Sequence, residues 1–102
     1  MFVKVTKAMV NTLNRYAKDN PLRFEYRTTS PANYERFVNS DLFGNETDFD
    51  YNTGLFKYIS VIYPGEFYAI PKTVTTNDLK RLYVSGDTVE TFCKRVIENM
   101  SI

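Results

Sequence analysis

Residues 46–74 read ETDFDYNTGLFKYISVIYPGEFYAIPKTV, three strand-like runs joined by two short turns. The middle run, Leu55 to Tyr63, is rich in β-branched and aromatic residues and contains no Pro or Gly. Its two faces are Leu55, Lys57, Ile59, Val61, Tyr63 and Phe56, Tyr58, Ser60, Ile62. Both are largely apolar, which predicts a central strand covered on both sides. Pro64-Gly65 then fits the centre of a type II turn, because Pro fixes φ and Gly accepts a positive one. Phe67 to Val74 returns as a second strand, with Pro71 confining it to an edge or to irregular geometry at its far end. Before the middle run, Asn52-Thr53-Gly54 fits a three-residue hairpin loop with Gly in the left-handed position. The run ahead of that loop alternates, with Thr47, Phe49 and Tyr51 on one side and Glu46, Asp48 and Asp50 on the other. Period 2 predicts a half-buried strand with a row of carboxylates outward, a pattern that also keeps an edge strand from pairing with strangers.

The flanking segments supply the helices. Over Val3 to Asp19, Phe2, Val5, Met9, Leu13, Tyr16 and Ala17 gather on one side of a predicted helix. Lys4, Lys7, Asn11, Arg15 and Lys18 form a compact stripe opposite, and Asn20-Pro21 ends the helix. Leu22 to Thr28 alternates, with Leu22, Phe24 and Tyr26 against Arg23, Glu25 and Arg27, and is expected to join the sheet. Ser30-Pro31 opens a short helix to about Asn39 that buries Tyr34, Phe37 and Val38, and Ser40 to Asn45 reads as a loop. Thr75 with Asp78 resembles a capping box for a helix carrying Leu79, Leu82 and Tyr83 inward. Ser85-Gly86 breaks that helix, and Asp87 with Glu90 is expected to cap the last one. There Val89, Phe92, Cys93, Val96, Ile97 and Met100 keep helical spacing without a slip. The order α-β-α-β-β-β-α-α makes residues 1–102 a single α+β domain. It is expected to have a mostly antiparallel sheet of about four strands, the meander 46–74 plus strand 22–28, covered by helices.

Composition excludes more functions than it suggests. At 102 residues, 43% hydrophobic and 25% charged, the chain is an ordinary globular domain. It contains no His, which removes the commonest general base and zinc ligand and every His-containing triad. The single Cys rules out an intramolecular disulfide and points to a reducing compartment. No apolar run reaches the length of a membrane span, and MFVKVTK lacks the apolar stretch of a secretory signal, so a cytoplasmic protein without a membrane partner is expected. Net charge is +1 but unevenly placed: residues 1–38 carry seven Lys/Arg against three Asp/Glu, and residues 39–66 one against five.

Several constellations carry chemistry worth weighing. Asp48, Asp50 and Asn52 match the first positions of a calcium loop, but Thr53 stands where Gly is needed and Ile59 where the bidentate Glu belongs. No metal or cofactor is therefore expected. Asp41, Phe43, Glu46, Asp48, Phe49, Asp50 and Tyr51 form an acidic-aromatic stretch suited to a basic partner surface, with the solvated face of an edge strand as the competing reading. On that view Asp48→Lys with Asp50→Lys loses the partner and keeps the melting temperature. Lys4, Lys7, Asn11, Arg15 and Lys18, extended by Arg23 and Arg27, have the footprint of phosphate contacts, and Asn14 could add hydrogen bonds. Asp78 to Glu98 has a helix-Gly-helix look, but Asp87 and Glu90 would face phosphates with the wrong sign. Cys93 sits inside an apolar stripe and reads as a small core residue, and no carboxylate spacing singles out an acid-base pair.

The expected function is a small non-enzymatic protein that binds another protein through the acidic-aromatic patch. The abundance of Asn, Lys, Tyr, Phe and Ile is a bias of AT-rich genes, and with the small size it suggests a bacterial or phage accessory protein such as an inhibitor. The alternative is a nucleic-acid-binding regulator using the basic helix face, and a third possibility is a structural homo-oligomer subunit.

Overall fold

The run without Pro or Gly becomes the axis of the molecule. The computed structural model describes residues 3–37, 48–63 and 72–101. Among the described residues the elements are α1 (Lys7–Tyr16), β1 (Arg23–Thr29), α2 (Pro31–Phe37), β2 (Phe49–Asp50), β3 (Leu55–Ile62), β4 (Lys72–Val74), α3 (Thr76–Leu82) and α4 (Val89–Met100). Among the described residues all strand pairs are antiparallel and all involve β3. β1 runs the length of one edge, from Arg23 opposite Ile62 to Thr29 opposite Phe56. The other edge is shared, with Phe49 and Asp50 of β2 opposite Phe56 and Leu55, and β4 opposite Ile59 to Val61. The α+β class and the four-stranded antiparallel sheet read from the sequence are thus the observed ones.

Both faces of β3 are covered over most of its length, as its two apolar faces require, with Ile62 at its end left 40% exposed. On one side Ile59 and Val61 join Phe24, Val10, Leu13, Ala17, Leu79, Phe92, Cys93, Val96 and Ile97 in a core beneath α1, α3 and α4. On the other side Phe56 and Tyr58 pack with Tyr34 of α2, whose ring stacks on Phe56 at 4.2 Å. Each large apolar side chain so buried contributes about 1.5–3 kcal/mol.

Helix ends follow local side-chain chemistry. Thr6 is extended and its hydroxyl accepts from the Met9 N–H, so α1 begins at Lys7 instead of Val3. Thr75 and Asp78 form the reciprocal capping box expected of α3. The last helix is capped by Thr88, one residue later than expected, in a box with Thr91. Asp87 instead accepts from the Val84 N–H and pairs with Arg95, and Val89, at the first turn, is 48% exposed. Asp50 stands opposite Leu55, so the hairpin loop is Tyr51 to Gly54, one residue longer than expected. The Asp50 carboxylate accepts from the Asn52 N–H at 2.9 Å, adding a local turn, and Gly54 takes φ +71. The side chains of Phe37 and Val38, the loop at 40–45, the Pro64-Gly65 turn and the strand ahead of Lys72 lie outside the described residues.

Among the described strands β1 lies at an edge, with a partial substitute for a neighbour. Asn14 donates from Nδ2 to the Phe24 carbonyl and accepts at Oδ1 from the Phe24 N–H, both at 2.8 Å, as a peptide group of another strand would. This role, which no local pattern signals, occupies the amide that could otherwise add ligand contacts. Asn14→Ala leaves both Phe24 groups without that partner and is expected to destabilise the fold by about 1–2 kcal/mol in denaturant melts. An unchanged midpoint would show that the clamp contributes nothing.

Candidate functional site

Asp48 is the first of the sequence-derived site residues that the structure relocates. It lies in the turn just before β2, not in the strand, so the period-2 alternation does not extend to it. It is 0% exposed. Its Oδ2 accepts from the Thr76 N–H at 3.2 Å and from the Tyr34 hydroxyl at 3.4 Å, and its Oδ1 accepts from the Thr76 hydroxyl. The Thr76 oxygen in turn accepts from the Val5 N–H at 3.1 Å. The predicted outward row of carboxylates is therefore interrupted, and Asp48→Lys would bury a cation among these donors. The double charge reversal is therefore expected to lower the melting temperature, not to keep it.

Electrostatics agree with the geometry. Burial pushes the Asp48 carboxyl up from its ordinary value, against the opposing pull of the Thr76 and Tyr34 hydrogen bonds and the Lys57 charge. Burial and the neighbouring Asp48 charge push the Tyr34 phenol up as well, so it keeps its proton and donates.

At the far end of β2 the remaining described members of the acidic-aromatic stretch come together. Phe49 packs against Phe56 in the smaller core, with centroids 4.9 Å apart. The Tyr51 ring meets Phe49 edge to face at 4.8 Å and is 72% exposed, where alternation had placed it inward. Asp50 is half-buried and holds the turn. Asp41, Phe43 and Glu46 lie outside the described residues.

Of the basic stripe, Lys7, Asn11 and Arg15 lie on α1, while Lys4 precedes its cap and Lys18 follows its end. Lys4, Lys7, Asn11, Arg15 and Lys18 are all exposed. Lys7 lies over the Tyr26 ring at 5.8 Å and Arg15 over the Tyr16 ring at 5.4 Å. Arg23 and Arg27, the expected extension, have partners within the chain. Arg23 turns its guanidinium to the carbonyls of Ala17, Lys18, Asn20 and Leu22 at the end of α1, and Arg27 pairs with Glu25 at 3.0 Å. Cys93 is buried in the main core and burial pushes its thiol up, as its place in the apolar stripe suggested. The chain matches no protein-family model, no curated protein and no solved structure.

Two tests address Asp48. Asp48→Ala leaves the Thr76 N–H and two hydroxyls unsatisfied and is expected to cost about 3 kcal/mol in chemical denaturation. The carboxyl is raised in the native state, so that state holds a proton more tightly than the unfolded chain does. Its stabilising contribution is full below the ordinary value of 3.8 and is lost as pH rises through the raised native value. Subtracting the stability of Asp48→Asn from that of the wild type across pH 4–8 should give a difference that falls with rising pH. A flat or rising difference would contradict the assignment.

Proposed function

We propose that the chain is a small non-enzymatic module that binds another protein through the hairpin tip carrying Phe49, Asp50 and Tyr51. The observation that carries this reading is Tyr51, a large amphipathic side chain 72% exposed on a turn fixed by Asp50 and Gly54 and braced by Phe49. A tyrosine held in this way offers contact area while little conformational freedom is left to lose, which is the character of interface anchors. Asp41, Phe43 and Glu46 precede this tip in the chain and belong to the same proposal. Asp48 does not, since its oxygens are committed inside the fold.

The non-enzymatic part of the proposal rests on side-chain chemistry. The chain has no His, and the one thiol is buried and raised. A reducing compartment is proposed from the same free Cys93, and a bacterial or phage accessory role from length and composition.

A photo-crosslinking amino acid placed at Tyr51, and at exposed Lys80 as control, tests the tip in lysate of the source cell. A nuclease-resistant protein adduct is expected from position 51 alone. Tyr51→Ala should weaken binding of that protein by about tenfold or more with an unchanged melting temperature. Equal adducts at both positions, or undiminished binding by the variant, would refute the reading.

A further inference from the structure

Residues 3–18 hold Lys4, Lys7, Arg15 and Lys18 and not one carboxylate. At 3.6 residues per turn Lys7, Asn11 and Arg15 fall within about 80° of arc, Lys7 and Arg15 stand roughly 12 Å apart along the axis, and exposed Lys18 follows just past the helix end. The placement of these charges runs against helix stability at the N-terminal end. Lys7 is the first residue of α1 and no acid occupies its first turn, whereas α3 and α4 open with Asp78 and Glu90. A cation at the positive end of the helix dipole is unfavourable, so Lys7 is not there to stabilise its own helix, whereas Arg15 in the last turn is favourably placed.

Lys7, Arg15 and Lys18 are also exposed to solvent. Among the described residues Lys7, Arg15 and Lys18 have no ion pair, while Arg27, Arg81, Lys94 and Arg95 each have a carboxylate partner. The tyrosine rings beneath Lys7 and Arg15 restrict those side chains while leaving N–H donors available. We propose that this face of α1 is a second interaction surface, one that lies along the phosphate backbone of duplex DNA. The opposite side of the helix chooses against a lipid surface, because Val10, Leu13 and Ala17 are spent in the core and no apolar face is left to insert. The rings choose against a single strand. Tyr16 and Tyr26 are half-buried against the core, with a cation over each, and neither offers a face on which bases stack. Contacts of this kind read charge spacing and not sequence.

Fluorescence anisotropy with a random-sequence 20-base-pair DNA duplex, a single strand of the same length and phosphatidylserine vesicles tests the surface. The duplex is expected to bind most tightly, with log K falling against log salt at a slope of about −3, one phosphate for each of Lys7, Arg15 and Lys18. Lys7→Glu/Arg15→Glu/Lys18→Glu should bind at least about 100-fold more weakly, given that salt dependence. Its melting temperature should stay close to wild type, since Lys7→Glu places an acid where the dipole favours one and offsets Arg15→Glu in the last turn, where it does not. The neutral Gln version of all three positions should show the same loss, and serves if the reversed variant fails to fold. Absence of duplex binding, a slope near zero, retained binding by the variants, or preference for vesicles or single strand would overturn the proposal.

Discussion

A carboxylate withdrawn from water must be met by donors, and Asp48 organises this molecule around that requirement. An isolated buried charge is far too unfavourable for a domain of marginal stability. Three donors reach it, two from Thr76 and one from Tyr34, and the Thr76 hydroxyl passes the chain of hydrogen bonds on to Val5. These groups come from the N-terminal segment, α2, the turn before β2 and the start of α3. The separations bridged are 28 residues between Asp48 and Thr76 and 71 between Thr76 and Val5. Tyr34 continues into the smaller core by stacking on Phe56, and Thr76 opens the helix that carries Leu79 into the larger one. One polar cluster therefore fixes the two apolar cores relative to each other.

Both proposed surfaces are extensions of that cluster. Val5 is bound there immediately before Thr6, the residue that caps α1, so the same contact sets where the helix starts. With its start fixed, Val10, Leu13 and Ala17 turn inward and the cations turn out. Asp48 immediately precedes Phe49, and the two-residue strand beyond it leads straight to the tip that bears Tyr51. The far end of the larger core is tied separately, by Tyr63 donating to the Met100 carbonyl and by Asn20 donating to Ser101 at 3.2 Å.

What was legible in the sequence was local. The stripe on α1, the alternation of β1, the Thr75–Asp78 box and the burial of Cys93 each follow from periodicity or from groups three or four residues apart. Asp48 was misplaced because alternation holds only where the ladder holds, and β2 is two residues long. A signal did exist. Asp78 satisfies Thr75 but leaves the neighbouring Thr76 in need of an acceptor, and Tyr34 carries a polar tip on the inward side of α2. Nothing local says which distant carboxylate answers them. The hairpin loop gained a residue because Asp50 folds back on Asn52, and the last cap moved because Arg95, eight residues on, claims Asp87. In each case a side-chain contact outside the pattern decided between two acceptable local choices.

The most direct test of Asp48 as the organising contact is native-state hydrogen exchange at the Thr76 and Val5 amides, both of which are bonded within the cluster. If the cluster joins the cores, both amides should exchange only through global unfolding, with the same free energy and denaturant dependence as Leu13 and Val96 in the main core. Exchange of Thr76 or Val5 through a low-energy local opening, while the core amides remain protected, would show that the cores hold together without it.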